Sequence, residues 1–92
     1  MISGLINIGF GNMIHPDRLV AIVSPDAAPV KRLIASARES SHCIDAIQGR
    51  KTKAVLVMDN DYIVLSALVP DTIGRRFADA GSANALLSDK KD

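Results

Sequence analysis

The chain has 92 residues, close to half of them hydrophobic, and a formal net charge of +1. That is room for one domain with one modest core, and it excludes a disordered chain. The aromatic residues are Phe10, Tyr62 and Phe77, with no Trp, so the core must be aliphatic and little is left for a mechanism built on stacking.

In chain order, "GLINIGF" reads as a short first strand, and "GFGN" and "HPD" supply turn residues. "RLVAIVS" is a β-branched run that predicts a strand from Arg18 to Ser24. "SPDAAP" stops it and starts a helix, with Ser24 or Asp26 as the cap and the prolines at or near the first turn. The helix is expected from about Ala28 to Ser40, because Val30, Leu33, Ile34 and Ala37 recur at helical spacing while Lys31, Arg32, Arg38 and Glu39 lie off that stripe. "CIDAI" reads as a third strand. "TKAVLVMD" and "YIVLSALV" read as a hairpin turning at Asn60-Asp61, residues that tolerate positive φ. "PDTIGRRFADAG" predicts a short last helix with Ile73, Phe77 and Ala80 on one side and Gly81 as its stop.

The expected fold is therefore α+β, in the order β-β-α-β-β-β-α. It is a single domain over residues 1–81 with a mostly antiparallel sheet, one long and one short helix, and a flexible tail over 82–92. In "RLVAIVS", "KAVLVM" and "YIVLSALV" both alternating sets are mostly apolar. Two helices cannot easily cover both faces of a five-stranded sheet, so a second copy of the chain is expected to cover the remainder.

Charge is unevenly spread. Residues 18–53 carry a balance of +4 and residues 54–80 a balance of −2, which suits a polyanionic partner at one end of the fold. Cys43 is the single cysteine, so no intramolecular disulfide can form and a cytoplasmic location is expected. The N-terminus has no basic segment followed by a long apolar one, and "YIVLSALV" is far short of the ~20 residues of a membrane span.

Few residues suggest chemistry. "GFGNMI" begins like a dinucleotide fingerprint but lacks the third glycine, so a turn or bulge needing glycine freedom is the better reading. His42 and Cys43, adjacent on a strand, point to opposite faces and cannot easily share a metal ion. Cys43 reads as a small core residue. Asp59 and Asp61 are explained by the turn. No catalytic residue, metal, cofactor or small-molecule substrate is expected.

The segment "QGRKTK" is different. Arg50, Lys51 and Lys53 place three cations within four positions at the mouth of an apolar strand. The bland reading is a solvated loop. Against it, Gly49 lets the backbone turn tightly or approach a ligand, and Thr52 adds a hydroxyl donor. Arg50 can grip a phosphate or a guanine edge at two points, while Lys51 and Lys53 act as point charges. Arg18 heads another strand and joins this patch if the two strand ends lie together. Arg32 is a further candidate contact.

"INIGFGN", "IVSPDAAPVKRLI", "ARE" followed by "IDA", "GRKTKAVLVMD" and "IVLSALVPDTI", together and in this order, resemble the RemA family over about residues 5–77. These are small bacterial proteins named as extracellular matrix regulators. The resemblance implies a DNA-binding regulator, associated in bacilli with biofilm-matrix and osmoprotection genes. It also implies a fold similar to the LytTR DNA-binding domain and subunits assembled into a ring. The family's DNA-contact arginines match Arg18 and Arg50. The next basic position, commonly Arg in the family, is Lys51 here, which keeps the charge but loses the planar fork. Pro29 matches a position tied to family function through helix geometry and assembly. The expectation is a cytoplasmic, nucleoid-associated homo-oligomer that binds double-stranded DNA through Arg18, Arg50, Lys51 and Lys53, and is not an enzyme. The alternative is an oligomeric scaffold that binds RNA or a protein through the same loop.

Overall fold

The computed structural model describes the backbone of residues 4–86 and the side chains of residues 4–79. Strands β1 (Ile6–Gly9) and β2 (Asn12–Ile14) form a small antiparallel hairpin of their own. A 3-10 turn at Pro16–Arg18 leads into β3 (Leu19–Val23), helix α1 (Ala28–Glu39), β4 (Cys43–Ala46), β5 (Ala54–Met58), β6 (Ile63–Ser66) and helix α2 (Pro70–Leu86). The main sheet has four strands in the order β3-β5-β6-β4. Its β3–β5 and β5–β6 pairs are antiparallel and its β4–β6 pair is parallel. The architecture is α+β with mostly antiparallel pairing, as expected, and one short strand, β2, is added to the expected order.

The apolar alternation on both sides of β5 and β6 has a direct structural outcome, because both faces are covered. On one face Val55, Ile63 and Leu65 pack with Val23, Val57, Cys43 and the α1 stripe of Val30, Ile34 and Ala37. On the other, Ala54, Leu56, Val64 and Ala46 pack with Ile6, Ile8 and Ile14 of the β1–β2 hairpin and with Ile73 and Phe77 of α2. Leu56, Ile63, Leu65 and Ile73 are fully buried, each worth about 1.5–3 kcal/mol in area removed from water. A five-stranded sheet containing the first strand is the expectation from the sequence. Here that strand leaves the sheet and becomes part of the layer covering it, so one chain buries most of both faces.

Ser66, the one buried polar side chain among the described residues, ties the layers together. Its hydroxyl donates to the Ile8 carbonyl at 2.8 Å and accepts from the Leu68 N–H at 3.1 Å. Arg76 of α2 adds a second tie, donating to the Asn7 carbonyl at 2.8 Å.

Local details differ from expectation at three places. Helix α1 begins after Ala27 with no side-chain cap. Ser24 and Asp26 instead bond to one another, Ser24 Oγ donating to Asp26 Oδ2 and the Asp26 N–H to Ser24 Oγ, both at 3.4 Å. The β5–β6 turn has only Asp61 at positive φ, +70°, and closes through a Met58 N–H to Tyr62 carbonyl bond of 3.0 Å. It is therefore a three-residue connection, not the expected two-residue one. Helix α2 runs through Gly81 to Leu86 and is, at 17 residues, longer than the 12-residue α1. A glycine inside a helix costs only about 1 kcal/mol and need not end it. The expected tail thus begins within α2, and residues 87–92 lie outside the described residues, as does the Ala80 side chain.

Candidate nucleic-acid interface

The basic loop gets its shape from a tight turn at Ile47–Arg50. The Arg50 N–H donates to the Ile47 carbonyl at 2.9 Å, and the two central residues, Gln48 and Gly49, have φ of +50° and +76°. Two positive φ values in sequence make a type I′ turn, for which glycine is suited at the second position. Asp45 fixes the approach, its carboxylate accepting from the Ile47 N–H at 3.0 Å. On the far side the Lys53 N–H donates to the Ser66 carbonyl at 2.9 Å, anchoring the loop to β6 where β5 begins.

Arg50, Lys51 and Lys53 are exposed and Thr52 is half-buried. Among the described residues none of the three cations has a carboxylate within ion-pair distance. Lys51 and Lys53 line two grooves. One, of about 490 Å³, is shared with Arg50, Gly9, Phe10, Ala67 and Leu68. The other, of about 260 Å³, lies against Pro25, Asp26, Thr52 and Val69. The chain leading into α1 therefore sits beside the loop. Pro29 is exposed in the first turn of α1, where its missing N–H removes no helical bond. Arg32 is exposed on α1 and lines neither groove.

Arg18 is elsewhere. It ends the 3-10 turn before β3, and its carbonyl accepts from the Asp59 N–H at 2.8 Å. Antiparallel pairing sets Leu19 against Met58 and Val23 against Val55. Arg18 therefore lies at the β5–β6 turn end of the sheet and the basic loop at the other end. The two are separated by the length of β5, about 16 Å at ~3.3 Å per residue. Within one chain they do not form one patch. Arg18 also has a partner that sequence reasoning missed, because its Nη1 lies 3.2 Å from Asp59 Oδ2.

A second residue was missed at the basic end. The tip of the β1–β2 hairpin carries Gly9, Phe10 and Gly11 at φ of +106°, +53° and +76°, with a register shift between Asn7 and Gly9. The bulge read from "GFGN" is thus present. It brings Phe10 beside the loop, with the Arg50 guanidinium carbon 6.0 Å from the ring centroid. The signal in the sequence was an aromatic residue between two glycines, but nothing in spacing alone links positions 10 and 50.

Apolar surface remains at two further sites. One groove, between β3 and α2, is lined by Leu19, Val20, Ile22, Gly74 and Phe77. The other crosses the sheet at the β5–β6 turn end and is lined by Ile14, Ile44, Met58, Tyr62 and Val64, with Arg18 at its rim. Val20 and Ile44, on the two edge strands, are 65% and 48% exposed. No described helix is long and apolar enough to cross a membrane.

The profile of the Extracellular matrix regulatory protein A-like family (RemA-like) matches residues 5–77. Relatives carry the name "Putative regulatory protein". One from Thermosynechococcus vestitus is 62% identical over 74 residues, which covers 80% of this chain and 96% of the relative. One from Geobacillus kaustophilus is 50% identical over 76 residues, 83% of this chain and 87% of the relative. One from Acetivibrio thermocellus is 47% identical over 88 residues, 96% and 95% of the two chains. These similarities support a regulatory role, and a match across the whole packed core shows that the chain belongs to the RemA-like family.

Proposed function

We propose that the protein is a DNA-binding transcriptional regulator that acts as a homo-oligomer and contacts double-stranded DNA through the loop Arg50–Lys53. The observation that carries this reading is the loop itself. Three exposed cations with no carboxylate partner among the described residues stand at and just after a type I′ turn, beside an aromatic ring, in a chain of near-neutral net charge. Backbone hydrogen bonds and turn geometry fix the backbone that carries the cations, so the ordering cost when a phosphate arrives is confined to their side chains.

Arg18 is the second contact in this reading, and its distance from the loop gives the oligomer a purpose. One subunit offers two weak sites at opposite ends of a sheet. Repetition around an assembly multiplies them along a DNA that bends to meet them. The two apolar grooves support assembly. They differ from one another and lie at different places on the surface, which suits head-to-tail contact, the geometry that closes into rings. In bacilli the corresponding targets would be biofilm-matrix and osmoprotection genes. The test is competition of labelled duplex DNA against duplex and against single-stranded RNA. Displacement by duplex DNA at lower concentration than by RNA supports the reading. Preferential displacement by RNA favours the scaffold alternative.

A further inference from the structure

Phe10 is held in a costly position. A non-glycine residue in the left-handed region loses roughly 1–2 kcal/mol to contact between its Cβ and the following carbonyl, and Phe10 sits there at φ +53°. The conformation is enforced from both sides. The Asn7 carboxamide oxygen accepts from the Gly9 N–H at 2.7 Å, and the Asn12 side-chain amide donates to the Gly9 carbonyl at 3.0 Å. Gly9 packs against Leu68, where an added Cβ would stand 3.4 Å from Leu68 Cγ. All this holds out a ring that is 46% exposed and belongs to neither core cluster. Phe10 instead lines the groove of about 490 Å³ together with Arg50, Lys51, Lys53, Ala67 and Leu68. Cations, an aromatic face and an apolar patch in one groove match the parts of a nucleotide: phosphate, base and deoxyribose.

We infer that this groove seats one strand of the bound DNA. Phe10 lies against the sugar or base of a nucleotide whose flanking phosphates are held by Arg50, Lys51 and Lys53. The inference rests on the DNA-binding reading above and adds a non-ionic contact to it. A strand of duplex, and not a free nucleotide, is the occupant because of the number of cations. Arg50, Lys51 and Lys53 fall within four positions, at most about 10 Å of chain, and a nucleoside monophosphate offers these three cations one phosphate whereas a strand offers one at every nucleotide. The ring also faces the Arg50 guanidinium, so one plane of the side chain organises the arginine while the exposed part meets DNA.

The chain has no Trp, so Phe10→Trp introduces a single fluorescent reporter. Labelled duplex is titrated into this variant, into Phe10→Ala and into the parent, each at several salt concentrations. The expected result is that duplex quenches the Trp emission with the same midpoint as the anisotropy change. Phe10→Ala should weaken binding about five-fold, as a ring that is 46% exposed has about half of a full Phe burial left to gain, with the parent's salt slope, since no charge is lost. Phe10→Ala binding like the parent overturns the inference, as does Phe10→Trp binding DNA with unchanged emission. A loss of salt slope in Phe10→Ala equal to that of Arg50→Ala also overturns it, since the ring would then only position the arginine. Quenching by deoxynucleoside monophosphates at lower concentration than by duplex overturns the choice of occupant. Should the parent fail to bind duplex at all, the regulator reading falls and takes this one with it. That outcome is distinct from a parent whose binding Arg50→Ala weakens and the Phe10 variants leave untouched.

Discussion

The Arg18–Asp59 pair gives a gain-of-binding prediction. The pair is 3.2 Å long and its side chains are 68% and 40% exposed. Solvent screens such a pair, and it is worth at most about 1 kcal/mol to folding. Asp59→Asn keeps the side-chain shape and removes the charge. The hydrogen bond from the Asp59 N–H to the Arg18 carbonyl is made by backbone atoms and survives the change. Stability should therefore fall by less than about 1 kcal/mol in denaturant titration. On DNA the effect has the opposite sign. Arg18 no longer leaves a carboxylate to meet a phosphate, and a negative charge is removed from the approaching backbone. In water a unit charge at ~4 Å is worth about 1 kcal/mol, so each engaged site should bind roughly five-fold tighter at low salt. The gain should fade as the Debye length shrinks toward ~3 Å at 1 M salt. The assay is anisotropy of a labelled duplex across a salt series for the parent, Asp59→Asn, Arg18→Ala and the double variant. If Asp59→Asn binds no tighter than the parent, Arg18 is not at the DNA. If the gain persists undiminished in the Arg18→Ala background, none of it acts through Arg18.

Three further outcomes are expected. Ser66→Ala strands the buried Ile8 carbonyl and Leu68 N–H and should cost about 1–3 kcal/mol of stability, loosening the hairpin that carries Phe10. An unchanged denaturation midpoint would show that the two groups find other partners. Pro29→Ser, at an exposed position in the first turn of α1, should reduce multimer size in light scattering more than it lowers stability. Unchanged size and DNA affinity would remove Pro29 from assembly. Arg75→Ala, an exposed change on α2, should leave duplex affinity within about two-fold of the parent, consistent with a surface effect under ~0.5 kcal/mol. A larger loss would place α2 at the DNA.

The elements of this fold were readable where local chemistry decides them. The β-branched runs became β3, β5 and β6, and of the expected stripe Val30, Ile34 and Ala37 became the packed side of α1 while Leu33 stayed exposed at its border. What the sequence could not convey was which layer each element joins. Ile6 and Ile8 alternate as any strand would, and it is the Ser66 hydroxyl together with packing on Ala54, Leu56, Val64 and α2 that fixes the β1–β2 hairpin across the sheet and not at its edge. That one placement removed the argument that a second copy must cover a bare face, and it moved Phe10 next to Arg50. The basic loop was legible because three cations around Gly49 stand out in any arrangement. The separation of Arg18 from it was not, since that depends on β3 pairing antiparallel with β5. Its pairing with Asp59 is a contact 41 residues apart, beyond the reach of local pattern.

The central claim, that the loop Arg50–Lys53 holds DNA, is tested most directly by a salt titration of duplex affinity for the parent, Arg50→Ala and Lys53→Ala, with multimer size measured for each. Both side chains are exposed, so folding and assembly should be unaffected. Arg50→Ala should lose roughly 1–3 kcal/mol per engaged site if the guanidinium reads a base edge, and should lower the salt slope by about one per engaged site if it holds a phosphate, the losses compounding toward undetectable binding in a multimer. Lys53→Ala should weaken binding to all sequences and lower the salt slope by about one per engaged site. Arg50→Ala assembling normally and binding duplex like the parent would contradict the account and leave the loop a solvated turn.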